Sequence, residues 1–427
     1  MHKILTQTIQ CKFNYYFQKL HINLTKPESR FLHETVLGIL KSQSVILNQI
    51  SIHINDKISL KKTTERLRRH MNKKGFWKKL IIGHIKTVSG KIQSHGFAIL
   101  DLLDIQKKYS KMMEGLERVK DGSNKKSIGL GYWLMNIIYI SSKDDNIIPL
   151  YNKLYSFSKG TLSENKEILK GIFSVIRNVK QPLTWVIDRG GDRSQIIIPL
   201  IRNNLNFIIR SVGSRHMEFQ CNAISVRKIG RKIKMKHDFS IQKMNKNKPQ
   251  KVKYSGGAVK VRFINQETKS VFTKQLWIVT LKGEGKGYSW YIVSSDEETE
   301  YEVVSQVLTG YGYRWKIEEY HRHIKQQFNL EDIQLRKFQG LQTMMSLLTI
   351  AMFLIYSQIK SIHMKLLINT PIKTIYKNKL FEIMGFIYYK IGTIVKILMT
   401  NVTARTFLPD ILMTTHYNPR QTKLQLV

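Results

Sequence analysis

Residues 183–193 read LTWVIDRGGDR, an apolar, strand-like run that delivers one carboxylate, Asp188, to a Gly-containing turn. A run of the same form, FAIL at 97–100, ends at Asp101. Working outward, GYWLMNIIYI at 131–140 and NFIIRSV at 206–212 are further strand candidates, and NKEILKGIFSVIRNV at 165–179 has helical spacing between two of the strands. Alternation of this kind predicts an α/β fold. A carboxylate at the end of a buried strand is held on a stiff element at the sheet's edge, where α/β proteins present ligands.

The rest of the chain falls into place around this region. Residues 1–95 are Lys-rich with helical spacing and predict a small helical DNA-binding domain. Within it, SQSVILNQISIHI and KISLKKTTERLRRHM form two short helices, with Ser59 or Thr63 as N-cap and Lys61, Lys62, Arg66, Arg68 and Arg69 crowding the second. That suits a helix-turn-helix on DNA; a solvated basic helix is the plainer alternative. The catalytic-domain candidate is 96–365, interrupted at about 213–299 by a mostly β insertion that opens with a basic span and continues in short runs such as AVKVRF and YSWYIVSS. A helix is expected from about Glu300 to Phe328, and a basic helical region over 366–427. Between Lys337 and Lys360 no side chain is charged, but Gln339, Gln342, Thr343, Ser346 and Thr349 interrupt the run, which predicts a buried helix rather than a membrane span.

Lys and Arg number 70 against 30 for Asp and Glu, a formal charge of +40 on a chain that is 42% apolar, which excludes wholesale disorder. A polyanion, above all a nucleic acid, is the partner such a surface calls for, although a coding bias towards Ile, Asn and Lys would account for part of the excess. Cys11 and Cys221 give neither a disulfide framework nor zinc spacing, and the first 20 residues lack the apolar stretch of a secretory signal, so a cytoplasmic location is expected.

The third acid lies in YGYRWKIEEYHRHIKQQF, residues 311–328. At about 100° per residue, Tyr311, Arg314, Glu318 and Lys325 share one helical face, whereas Glu319 points away from it. Trp315 and Tyr320 are expected to pack in the core. Three carboxylates brought together repel unless a cation sits among them, and a pair of divalent metals with oxygen ligands is the economical answer. Two such ions stabilise attacking and leaving oxygens in displacement at phosphorus, the chemistry of cutting and rejoining nucleic-acid backbones.

The spacing Tyr311, Arg314, Glu318, Lys325 resembles, without a gap, the Tyr-Arg-Glu-Lys signature of bacterial insertion-sequence transposases of the DDE type, which have a ribonuclease-H-like catalytic domain. VIDRGGDR around Asp188 resembles that group's second motif, and ILDLLDIQKKYSKMMEGL the first, with GLGYWLMNIIYI similar to the strand that follows it. Asp101 is taken as the first acid; Leu103 stands where family members place Ser or Thr, a departure that leaves Asp104 as the alternative. The resemblance covers about residues 38–360. It implies Asp101, Asp188 and Glu318 as catalytic, metal-binding acids for two Mg2+ ions, with Mn2+ a substitute. It also implies DNA contacts by Tyr311, Arg314, Lys325, Arg210 and Arg189, and a Trp290 that stacks on a flipped base; core packing is the alternative for Trp290.

The function so implied is a DNA transposase that binds the terminal inverted repeats of its element as double-stranded DNA, cleaves, and joins the ends to target DNA. A homodimer in a synaptic complex, near the nucleoid of a bacterium, is expected, with no membrane partner. The rival readings are a metal-dependent nuclease of the same fold and a non-catalytic DNA-binding protein.

Overall fold

The computed structural model describes residues 2–20, 24–54, 58–107, 109–120, 128–143, 146–160, 163–245, 248–358, 373–376, 379–382 and 387–402. In chain order, five helices come first: α1 (His2–Leu20), α2 (Lys26–Ser42), α3 (Leu47–Ile54), α4 (Leu60–Met71) and α5 (Phe76–Val88). Then follow β1 (Gly96–Gln106), β2 (Glu117–Lys120), β3 (Ile128–Ile140), β4 (Ile147–Tyr155), α6 (Glu164–Asn178), β5 (Leu183–Ile187), α7 (Ser194–Arg202) and β6 (Asn206–Arg210). Next are β7 (His216–Phe219), β8 (Asn222–Ser225), α8 (Val226–Lys232), β9 (His237–Asn245), β10 (Lys248–Ile264), β11 (Val271–Gly283) and β12 (Tyr288–Ser294). The chain continues through α9 (Glu300–Gly312), α10 (Trp315–Gln326), α11 (Phe338–Tyr356), β13 (Lys373–Tyr376), β14 (Lys379–Glu382) and α12 (Ile387–Met399). Two units result, one from Met1–Thr87, Met112–Glu114 and His323–Val427, the other from Val88–Lys111 and Gly115–Arg322.

Among the described residues the first unit is helical apart from the β13–β14 pair. Helix α2 starts in a capping box, where Thr25 accepts from the Glu28 N–H and the Glu28 side chain accepts from the Thr25 N–H. The two helices expected from residues 42–71 are present as α3 and α4. Thr63, Thr64, Leu67 and Met71 face inward on α4, which leaves Lys61, Lys62, Arg68 and Arg69 exposed. Arg66 instead bonds Glu34, a buried carboxylate that also takes Arg30 at 2.7 Å. Ser59 is the N-cap of α4, without a side-chain bond to the helix.

The uncharged α11 is buried within this unit, and two of its hydroxyls are satisfied there: Thr343 donates to the Met71 carbonyl at 2.8 Å and Ser346 to that of Trp77 at 3.4 Å. By length and composition it could cross a membrane, yet 83% of its most apolar window is buried here, as a core helix would be. Of the expected helical region at 366–427, β13, β14 and α12 are described, and residues 403–427 lie outside the described residues.

The second unit is built on one sheet of twelve strands with helices, a mixed α/β arrangement. Its order is β2-β3-β1-β5-β6-β12-β11-β10-β7-β8, with β4 also on β3 and β9 also on β10. Strands β1, β5 and β6 are parallel, and β3 runs antiparallel to β1. Helices α6 and α7 supply the crossovers that parallel strands require. β5 is buried along its whole length, as its unbroken apolar run dictates. The β insertion joins this sheet directly: β12 pairs antiparallel with β6, Tyr291 opposite Arg210.

Two expectations need correction. The helix foreseen from Glu300 to Phe328 is two helices: the chain tightens at Tyr313 and Arg314 into i→i+3 bonds, such as Arg314 N–H to the Tyr311 carbonyl at 3.2 Å. Trp315, expected in the core, is 48% exposed because α10 begins there, on the solvent side; Tyr320 is buried as expected.

Candidate active site

Asp101 and Asp188 are brought side by side by strand pairing. The parallel β1–β5 register ends at Leu100 opposite Ile187, so each Asp is the next residue on its own strand line. The expectation that both acids terminate strands holds for Asp188 alone. β1 runs on to Gln106, still paired with β3, while β5 departs and opens the space beside Asp101. The side chain of Asp188 accepts the Gly190 N–H at 2.7 Å, which fixes the turn that follows.

Asp104, three residues along β1 from Asp101, emerges on the other face of the sheet by strand alternation and accepts from Gln106 at 3.2 Å. Asp101 is therefore the acid that shares a site with Asp188.

Glu318 enters from α10. Arg314 bonds Glu318 and also stands 3.8 Å from Asp101, so one guanidinium links the two carboxylates. Burial, with the Asp188 charge and, less strongly, that of Glu318, pushes the Asp101 carboxyl up to about 7, although the Leu102 N–H and Arg314 pull the other way. Glu319 is pushed up to about 7 by burial, against Lys316 and Arg322.

Tyr311 and Arg314 do not share one helix with Glu318, because Tyr311 closes α9. Proximity survives the bend. The Arg314 and Arg210 guanidinium groups each lie 5.8 Å from the Tyr311 ring, and Tyr291 packs edge-on against it at 4.8 Å. Burial raises the Tyr311 hydroxyl, while Arg314 and a hydrogen bond from Arg210 lower it. Helix α9 comes this close because Gly310 has no side chain: a Cβ there would meet the Phe97 ring at 2.5 Å and Ile208 at 2.9 Å.

The remaining expected DNA-contacting residues are spread more widely. Arg189 is exposed in the turn after Asp188. Lys325 lies at the end of α10, in the helical unit, 3.1 Å from Glu331. Trp290 is half-buried on β12 with Arg227 5.6 Å from its ring. Cβ atoms built on Gly213 and Gly230 would come within 3.2 Å and 2.2 Å of that ring, so two backbone segments close over it. Its indole N–H is buried with no partner. In this arrangement Trp290 packs within the β insertion.

A clamp behind the site was not foreseen. The Asp192 side chain is fully buried; it accepts from Ser211 Oγ at 2.8 Å and the Val212 N–H at 3.0 Å, and it pairs with Arg215, whose side chain is 7% exposed. This ties the Asp188 turn to the end of β6. The second Asp of DRGGD was its sequence signal.

Three carboxylates are an all-oxygen donor set that suits a hard divalent cation, and the upward push on Asp101 by its acidic neighbours is what such a cation would relieve. Arg314 supplies the positive charge in this arrangement. Among the described residues no group of three or more His, Cys, Asp or Glu side chains is gathered closely enough to hold a metal ion.

No curated protein matches the chain. Among solved structures, the cryo-EM structure of piggyBac transposase synaptic complex with hairpin DNA is similar at 9% identity and a TM-score of 0.41, over 95% of this chain and 80% of that one. Residues 158–354, which carry Asp188 and Glu318 but not Asp101, match the family of the Transposase DDE domain.

Proposed function

We propose that the protein is a DNA transposase of the insertion-sequence type, in which Asp101, Asp188 and Glu318 hold divalent cations. Its sheet unit is then a ribonuclease-H-like catalytic core. The strand order β4-β3-β1-β5-β6, with β1, β5 and β6 parallel, supports that fold reading. The observation that carries the function is that Arg314 links Asp101 to Glu318 while the β1–β5 register sets Asp188 beside Asp101, inside a chain whose residues 158–354 match a transposase DDE domain.

Mg2+, with Mn2+ as substitute, would be held by the three carboxylates and would supply charge stabilisation to displacement at a DNA phosphorus. The chain's own groups prepare the substrate. Arg314, Arg210 and Tyr311 form a cationic, hydrogen-bonding wall beside the acids, suited to phosphate oxygens. Arg189 extends the positive surface of the sheet unit, Lys325 on the helical unit is a further candidate for a DNA phosphate, and Trp290 is a stacking candidate if its packing opens. Arrival of a DNA phosphate gives Arg314 a competing anion and frees Asp101 and Glu318 from it. Terminal inverted repeats are the substrate, target DNA the acceptor, and a homodimer in a synaptic complex the working form, in a bacterial cytoplasm.

Incubation of purified protein with labelled inverted-repeat DNA, a target plasmid and Mg2+ tests the proposal. Cleaved ends joined to the plasmid support it; nicking without joined product favours a nuclease, and binding without cleavage a DNA-binding protein. Glu318→Ala should abolish cleavage while end binding persists. Unchanged cleavage would remove Glu318 from the chemistry.

A further inference from the structure

We infer that Asn136 and His321 are positioning residues that set Glu318 against Asp101, an inference that rests on the proposed role of those two acids. Asn136 lies on β3 directly across the β1–β3 ladder from Asp101. Directly opposed residues of an antiparallel pair project from the same face of a sheet, so the Asn136 side chain stands on Asp101's side. The amide of Asn136 and Nε2 of His321 are hydrogen-bonded at 3.0 Å, with the two residues only 1% and 7% exposed. His321 follows Glu318 on α10 by three residues, the spacing that places two side chains on neighbouring parts of one helical face.

These relations close a circuit. Asp101 faces Asn136 across the ladder, Asn136 bonds His321, His321 shares a helical face with Glu318, and Arg314 links Glu318 back to Asp101. The Asn136–His321 bond is a buried polar contact of the circuit, and it is directional. The residues flanking Asn136, Met135 and Ile137, are fully buried, as are Ile317 and Tyr320 on α10. Apolar packing alone would tolerate a small rotation or slide of α10, since greasy surfaces re-pack. A slide of one residue would break the bond between a buried amide and a buried imidazole, a loss that low-dielectric surroundings make costly. The bond thus fixes the rotation of α10, and with it the direction in which Glu318 leaves the helix.

The test compares wild type with Asn136→Leu, His321→Leu and His321→Gln, the last keeping a polar group at similar reach. Four quantities are measured: Mn2+ binding by titration calorimetry, affinity for inverted-repeat DNA, cleavage rate at saturating Mn2+, and thermal unfolding. The two Leu variants are expected to weaken Mn2+ binding and slow cleavage by about ten- to a hundredfold, the range seen when groups that orient metal ligands are lost. DNA affinity should stay within about twofold, and His321→Gln should recover most of the Mn2+ affinity. Wild-type Mn2+ binding in both Leu variants would overturn the inference, as would losses that follow the unfolding temperature and are not restored by His321→Gln. If the wild-type protein itself neither binds Mn2+ nor cuts DNA, the functional reading fails separately. Crystal structures of wild type and Asn136→Leu then decide: a rotated or shifted Glu318 supports the positioning role, and superposable Glu318 side chains overturn it.

Discussion

Arg314 stands 3.8 Å from the carboxylate of Asp101 while bonding Glu318, so in the absence of DNA a guanidinium occupies the space between two candidate ligands. A fixed cation there competes with a mobile one. Arg314→Gln is therefore expected to bind Mn2+ more tightly than wild type without DNA, yet to cleave DNA about a hundredfold more slowly, because a charged group facing the phosphate is lost. Calorimetry and a cleavage time course read the two effects, and weaker Mn2+ binding in the variant would refute the competition.

The raised Asp101 carboxyl carries a sign that stability can report. Its ordinary value is 3.8 and its folded value about 7, so between those limits the native protein holds a proton that the unfolded chain has released. Stability of the metal-free protein should accordingly fall as pH rises through that window. Urea unfolding in a chelator at pH 5 and pH 8 measures the fall, and Asp101→Asn should shrink it.

Asp192 and Arg215 form a pair in which the side chain of the acid is fully buried and that of the base 7% exposed. Arg215→Ala leaves that carboxylate without its counter-charge and should cost about 3–5 kcal/mol by denaturant unfolding. A loss under about 1 kcal/mol would mean that Ser211 and the Val212 N–H suffice to hold Asp192.

At Gly310 a methyl group would have to displace the Phe97 ring from 2.5 Å and Ile208 from 2.9 Å. Gly310→Ala should therefore destabilise by about 1–3 kcal/mol, the usual penalty of overpacking. Lifting α9 also moves Tyr311 away from Arg210, so end-DNA affinity should drop beyond what the stability loss explains.

DNA binding itself should weaken steeply with salt, because the chain carries a formal charge of +40 and exposes Lys61, Lys62, Arg68 and Arg69 along α4. If about six or more phosphates are neutralised, affinity falls by about a thousandfold between about 50 and 200 mM salt. A flat response would exclude a mainly electrostatic interface.

Much of this was legible in the sequence because strands and acids announce themselves locally. FAIL and LTWVI became β1 and β5, and the acids that follow them meet because parallel register carries Leu100 to Ile187. The spacing of Tyr311, Arg314 and Glu318 picked out residues that do lie near one another, though by a different route: a turn at Tyr313 and Arg314 replaced the continuous helical face. That bend depends on how α9 settles on the sheet through Gly310, a tertiary fact with no local periodicity. Trp315 was misjudged for the same reason, since burial of an aromatic beside a helix start is decided by the bend. Asn136 and His321 went unnoticed because each looks ordinary alone, one amide in an apolar strand and one imidazole in a charged helix. Only the fold pairs them. The strand β4 was also passed over, its Pro149 and Lys153 masking an otherwise strand-like run.

The pairing of β12 with β6 reaches beyond geometry. Were residues 213–294 deleted to obtain a minimal core, the backbone groups of β6 that now bond Tyr291 and its neighbours would lie bare along a hydrophobic border. Naked borders of that sort recruit strands from other molecules. The segment that looks most like an optional addition is thus what keeps the central sheet from self-adhesion, and a shortened protein would be expected to precipitate before its chemistry could be assayed.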